Sequence, residues 1–254
     1  MLLQPQEPGA LVLVAGATGG VGQLLTAKLL ERGYRVRALS RSADKAAAVL
    51  GARAGLELVY GDLKKGGLEP LVAGVDAVAC CTGTTAFPSK RWDGDNGPEQ
   101  SDFVAVRNLL AATPRDVKRF VLTTSAGVER QGKFPFFILN LFGVLKWKAE
   151  AERLVRESGL PFTILRPSRL TDGPYTSFDL NTLLQGTAGT RRSVQLSPRD
   201  DLLGEASRIA VAEAMLQALA IPETEGRTYA LSSTEGEGPG GSREQWRSLF
   251  LAEA

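Results

Sequence analysis

The chain has 254 residues, 43% of them hydrophobic, which suits one large α/β domain with a well-buried core. Thirty basic residues against 28 acidic ones give a formal net charge of +2 with no long basic run, so the balance implies no nucleic-acid partner. The absence of histidine excludes Ser-His-Asp and Cys-His catalysis and most zinc sites, so no metal centre is expected and any acid or base must be Lys, Asp, Glu, Tyr or Cys.

Residues 1–10 lack the charged and apolar regions of a signal peptide. The first element is the apolar run Leu11, Val12, Leu13 and Val14. This strand leads straight into Gly16, Gly19 and Gly22 and then into Leu24, Leu25, Leu29 and Leu30 at helical spacing. Gly16 permits the tight turn, Gly19 lets a phosphate approach the backbone, and Gly22 lets the helix pack close to the sheet. The free amides at the start of a helix over 21–32 then face a pyrophosphate. Gly16, Thr18, Gly19, Gly20, Val21 and Gly22 are the expected contacts, and the alternative is an ordinary strand-turn-helix corner.

Further strands are expected at 35–40, 56–60, 77–81, 119–124, 162–166 and 228–231, alternating with helices at 43–50, 102–112, 145–158 and 207–219. That alternation predicts a doubly wound parallel sheet, the Rossmann fold, with its ligand crevice at the carboxyl ends of the strands. The second strand ends in Ser40 and Arg41, roughly 20 residues beyond Gly22, where an NAD site carries an acidic residue. An arginine there pairs its guanidinium fork with a 2′-phosphate and Ser40 adds a hydroxyl, which favours NADP. The alternative is a solvated arginine at a strand end. Cys80 and Cys81 are adjacent, cannot build a disulfide framework, and read as small apolar residues closing a buried strand in a reducing compartment.

With Thr18 inside it, GATGGVG resembles the atypical (extended and NmrA-like) short-chain dehydrogenase/reductase superfamily, and later motifs extend the likeness. The resemblance implies that Asp62, in the run YGDL, contacts adenine and that Leu63 after it is a cofactor contact, although Asp62 also reads as a turn residue. It implies that Thr82 and Gly83 line the cofactor ribose. It puts Ser125 in the catalytic serine position after RFVLTTS. Through KWKAE and SGLPFTILRP it puts Lys146 in the lysine position, as a cofactor contact and a catalytic group. Where the family has a tyrosine four residues earlier, this chain has Phe142, and phenylalanine cannot pass a proton to a developing alkoxide. Tyr60 and Lys64 do form a literal Y-x-x-x-K, but it straddles a strand end and a turn, so the two side chains would not share a helix face.

The polar stretch 89–100 is a loop over the site mouth or a surface excursion. Residues 134–145 contain one polar residue, Asn140, among twelve, with Lys133, Lys146 and Lys148 flanking. That segment is either a hydrophobic wall over the pocket or a peripheral contact with an anionic membrane or a protein partner, since it falls short of the ~20 residues that span a bilayer. A small substrate lobe is expected mainly from about 167–227, with Arg169, Tyr175, Phe178, Arg191 and Arg192 as candidate substrate contacts. A flexible linker begins at 235 and leads to a short C-terminal helix on which Trp246, Leu249 and Phe250 form an apolar stripe. The whole chain, 1–254, is expected to form a single unit.

The late motifs look like a plastid NAD(P)-binding member of the superfamily from plants and algae. This implies the chloroplast, in the stroma or at the thylakoid, or the cytoplasm if the source is cyanobacterial. Two functions remain open. One is NADPH-dependent reduction of a small apolar carbonyl or conjugated substrate; the other is a catalytically silent protein whose NADP(H) occupancy sets its binding to a partner.

Overall fold

The computed structural model describes residues 9–171 and 193–252. Ten strands build it: β1 (Leu11–Ala15), β2 (Arg35–Ser40), β3 (Leu56–Tyr60), β4 (Ala77–Cys80), β5 (Arg119–Thr123), β6 (Phe162–Pro167), β7 (Arg169–Thr171), β8 (Ser193–Ser197), β9 (Glu205–Ser207) and β10 (Arg227–Thr234). The main sheet runs β3-β2-β1-β4-β5-β6-β10-β8, and β7 pairs with β9 in a separate two-stranded ribbon. All neighbours in the main sheet are parallel except β8, which returns antiparallel along β10. This is the doubly wound order expected from the sequence.

Period-two alternation divides the core between the two faces of the sheet. On β1, Val12 and Val14 face one cluster with α1 (Gly20–Glu31), while Leu11, Leu13 and Ala15 face the other. The second cluster takes its helical residues from α3 (Glu69–Val72), α4 (Ala105–Ala112) and α6 (Val144–Glu157). Val49 and Leu50 of α2 (Ala43–Leu50) join the first cluster. A short α5 (Phe136–Leu139) lies before α6.

The helix expected at 207–219 is α7 (Arg208–Ala220), buried along almost its whole length. It packs beside α1, where Glu213 accepts from Lys28 at 2.7 Å and Arg32 at 2.9 Å. Although it falls in the span expected to supply a substrate lobe, α7 belongs to the core. Tyr175, Phe178, Arg191 and Arg192 lie outside the described residues.

Several boundaries differ from the sequence expectation for identifiable reasons. β10 extends to Thr234 because β8 pairs along its far half, Ser193 opposite Thr234. The helix expected from 102 begins with a π-helical turn, Glu99–Val104, that continues into α4. The expected linker is fastened to the body: Trp246 Nε1 donates to the Gly240 carbonyl at 2.9 Å, and Arg32 donates to the Gly241 carbonyl at 3.2 Å. It leads into α8 (Arg243–Ala252), which buries Trp246 and Phe250 as its stripe predicts.

Candidate functional site

The winding of the sheet reverses between β1 and β4, and a cleft of about 400 Å³ opens at the carboxyl ends of β1 to β4. Such reversal points are where open α/β sheets bind ligands. Gly16, Thr18, Gly19, Gly20, Ser40, Arg41, Asp62, Leu63, Thr82 and Gly83, distant in sequence, all line it. Val21, Gly22, Ser125 and Lys146 do not.

The glycines serve different ends. Gly16 has φ +78°, and a Cβ there would lie 3.0 Å from the Cys81 carbonyl. A Cβ on Gly22 would lie 2.2 Å from the Gly16 oxygen, so only glycine lets α1 sit this close to the turn. Gly19 is exposed, and its nearest obstruction would be the Gly16 oxygen at 3.2 Å. The Gly19 amide closes the turn onto Gly16 at 2.9 Å. The first turn of α1 therefore reaches the cleft with no side-chain cap and no acidic residue. An uncapped, acid-free helix end beside exposed backbone fits a pyrophosphate, since the amides and the helix dipole both favour negative charge.

At the next strand end, Arg41 donates to the Asn96 side-chain oxygen, and Lys45 lines the cleft beside it. Ser40 Oγ is engaged in its own turn, donating to the Ser42 carbonyl at 3.0 Å. Asp62 Oδ1 accepts from the Lys64 amide at 3.0 Å, as a turn residue does, while the residue also lines the cleft. Lys90, Arg91, Asp93 and Asn96 line the cleft too, so the 89–100 stretch lies over the site.

Lys146 and Lys148 face opposite ways. The buried positions of α6 are Val144, Leu145, Lys148, Ala151, Glu152 and Val155, a single helical face that includes Lys148 and excludes Lys146. Lys146 is exposed, with Nζ 4.7 Å from the Trp147 ring centroid. Lys148 is buried and pairs with Asp102 at 2.5 Å. Both groups lie directly behind Gly83: a Cβ there would be 3.1 Å from Lys148 Nζ and 3.0 Å from Asp102 Oδ1. Glycine at 83 thus leaves room for this buried ion pair beside the cleft wall, although neither Lys148 nor Asp102 itself lines the cleft.

Burial raises the Asp102 carboxyl above the ordinary carboxylate range, with the Lys148 ammonium and the Thr84 amide pulling the other way. Among the described residues its Oδ2 and the nearby Thr84 Oγ1 have no hydrogen-bond partner. Sequence reasoning missed both Lys148 and Asp102. The signal available was the stripe through Val144, Leu145, Ala151 and Val155, on which Lys148 falls, and the buried face of α4, on which Asp102 precedes Ala105, Val106 and Leu109.

Phe142 precedes α6, with Gly143 in the left-handed region between them, so it does not share a helix face with Lys146. It is exposed and meets Trp92 edge-on at 5.6 Å and Phe87 at 6.2 Å. Four residues before Lys148 stands Val144, which is buried. In either register the phenol is missing, and among the described residues no tyrosine lines the cleft. Ser125 Oγ donates to the Ala126 carbonyl at 3.0 Å. Beside it, Glu152 accepts from Thr124 at 2.7 Å and from the buried Arg166 at 2.6 Å, locking the end of β5 to α6 and β6. Cys81 reaches the cleft, but burial and the neighbouring Cys80 push its thiol well above the usual range, so it is no ready nucleophile.

The 134–145 segment divides in two. Phe136, Val144 and Leu145 pack inward, while Phe134, Phe137, Ile138, Leu141 and Phe142 are exposed. Among the described residues no helix is long and apolar enough to cross a membrane.

A doubly wound sheet with a glycine-walled cleft at its reversal point defines a dinucleotide-binding fold. The chain belongs to the NAD(P)H-binding family, whose model matches residues 16–222. The chloroplastic protein TIC 62 of Arabidopsis thaliana is 38% identical over 198 residues, covering 70% of this chain and 30% of that protein. Sanguinarine reductase of Eschscholzia californica is 31% identical over 279 residues, covering 94% of both chains. The photosystem II assembly factor Ycf39 of Trieres chinensis is 27% identical, covering 89% of this chain and 64% of its own. The chain spans 30% to 39% of the length of the TIC 62 proteins it matches. A short-chain dehydrogenase/reductase from Veillonella parvula, solved in complex with NADP, superposes with a TM-score of 0.63 at 20% identity, covering 87% of this chain and 94% of that one.

Proposed function

We propose that the protein is an NADP(H)-dependent reductase of small apolar carbonyl or conjugated substrates, with Lys148 in the role that the superfamily resemblance gives to Lys146. The observation that carries this reading is the buried Lys148 ammonium held behind Gly83. Arg41 and Lys45 suit a 2′-phosphate, the uncapped start of α1 suits the pyrophosphate, and Thr82 and Gly83 leave room for a ribose. Bound NADPH supplies the hydride equivalent. The chain's part is to hold a proton at Lys148 Nζ beside the reacting end of the cleft, with Asp102 fixing the ammonium's direction. Lacking a phenol, such a site favours substrates whose reduction needs a hydrogen bond or modest proton donation, such as quinones, which take up one hydride and one proton. Simple quinones are the probes of choice. NADPH oxidation should follow their addition, persist in Lys146→Met and disappear in Lys148→Met with nucleotide still bound. Turnover that survives Lys148→Met would overturn the assignment.

The exposed crest of Phe134, Phe137, Ile138, Leu141 and Phe142 favours a second reading. There the protein is catalytically silent and docks through this crest, with Lys133 and Lys146 beside it, onto a protein partner or an anionic bilayer in the plastid. The likeness to an assembly factor and to chloroplastic relatives supports it. Absence of NADPH oxidation with every probe, together with crest-dependent retention on anionic vesicles, would favour this reading over the first.

A further inference from the structure

The arginine that would select the nucleotide is already engaged. Arg41 donates to the side-chain oxygen of Asn96, which also lines the cleft. The segment around Asn96 is well fixed: its amide donates to the Trp92 carbonyl at 3.0 Å, and its carbonyl accepts from Ser101 Oγ at 2.9 Å. A second strap joins the same loop to the nucleotide half of the sheet, where Lys64 Nζ donates to the carbonyls of Gly94 at 2.8 Å and Asp95 at 3.1 Å. The two straps differ in kind. Lys64 grips backbone and is indifferent to the side chains of the loop, whereas Arg41 depends on the residue at 96.

We propose that Asn96 is a specificity-determining residue: its amide oxygen occupies the Arg41 guanidinium, and a nucleotide carrying a 2′-phosphate takes its place. The proposal rests on the reading of Arg41 as the 2′-phosphate ligand. A neutral amide oxygen is the weaker acceptor for a guanidinium and a phosphate the stronger, because the phosphate brings its own negative charge and can take two guanidinium N–H groups side by side. An asparagine there holds the loop closed yet yields to phosphate, where an aspartate would hold on. A nucleotide without the phosphate has nothing to exchange for the Asn96 contact and leaves the clasp shut.

Titration of the whole protein with 2′,5′-ADP and with ADP tests this, because the two probes differ only in where the second phosphate sits and neither needs turnover. Asn96→Ala should tighten 2′,5′-ADP by roughly two- to tenfold, the worth of one competing hydrogen bond, and leave ADP unchanged. Asn96→Asp should weaken 2′,5′-ADP by roughly tenfold or more, by competing as a charged acceptor and repelling the phosphate. Arg41→Ala serves as the control, and circular dichroism establishes that each variant is folded. If Asn96→Ala leaves 2′,5′-ADP binding unchanged or weaker while Arg41→Ala selectively costs that ligand, the clasp is wrong and the Arg41 reading stands. If Arg41→Ala affects both probes equally, the reading beneath the proposal fails.

Discussion

Removing the Lys148 ammonium leaves the Asp102 carboxylate buried against Thr84 with no counter-charge. Breaking a buried pair from one side typically costs about 3 to 5 kcal/mol, so Lys148→Met should lower the urea midpoint sharply, and adding Asp102→Asn should recover most of the loss. Burial places the folded Asp102 pKa above the unfolded value of 3.8, and without the lysine the shift is larger. A raised folded pKa means that stability is greatest below the unfolded value and declines as pH rises through the folded one. Urea melts of Lys148→Met should therefore show stability falling as the pH is raised from about 4, more steeply than in the parent. Gly83→Ala tests the same pair from the cleft wall: its methyl would press to 3.1 Å from Lys148 Nζ and should lower turnover in a protein that still melts cooperatively. The glycines separate in the same way. Gly19→Val should fold yet lose nucleotide in a titration, whereas Gly22→Ala, with its methyl 2.2 Å from a carbonyl, should fail to fold stably. The glycine cleft was legible because three glycines between a strand and a helix have few other uses. The lysine was not, because KWK offers two candidates and only the packing of α6 decides which turns inward.

Among the elements, those with a full hydrophobic period were readable. The α8 stripe is an example: Trp246 and Phe250 sit in the core, and the Phe250 ring packs tilted against Tyr229 on β10, 4.9 Å between centroids. Truncating Phe250 to Ala should cost about 3 to 5 kcal/mol and lower the midpoint of thermal unfolding by several degrees, measured by calorimetry. Its exposed neighbour Leu251 should tolerate the same change. Strands β7 and β9 were not readable, since three residues carry too little alternation to distinguish a strand from a loop, and β8, SVQLS, offers only two apolar residues. The segment 235–242 misled for a different reason. Glycine and proline set its backbone angles, but backbone carbonyls at Gly240 and Gly241 fasten it through side chains elsewhere in the chain, Trp246 and Arg32.

At the scale of the molecule, β1, β4 and β5 lie inside the sheet, are covered on both faces, and should exchange their amide hydrogens last. The 134–142 crest, with five exposed apolar side chains, should exchange early. Mass spectrometry after timed deuteration would show this order, and crest amides as slow as those of β4 would contradict it. The contrast matches what the sequence revealed: buried parallel strands read as continuous apolar runs, whereas the direction each residue of an apolar loop takes depends on contacts such as Phe142 with Trp92 and Phe87. The contact between Gly22 and the Gly16 carbonyl bears on ancestry as well as stability. Because that glycine is needed for the helix to pack at all, it would persist in a lineage that had long ceased to hold a dinucleotide. Gly19 has no such structural duty. Among descendants of this fold, a side chain at position 19 beside an intact glycine at 22 would be the first scar of a vanished ligand.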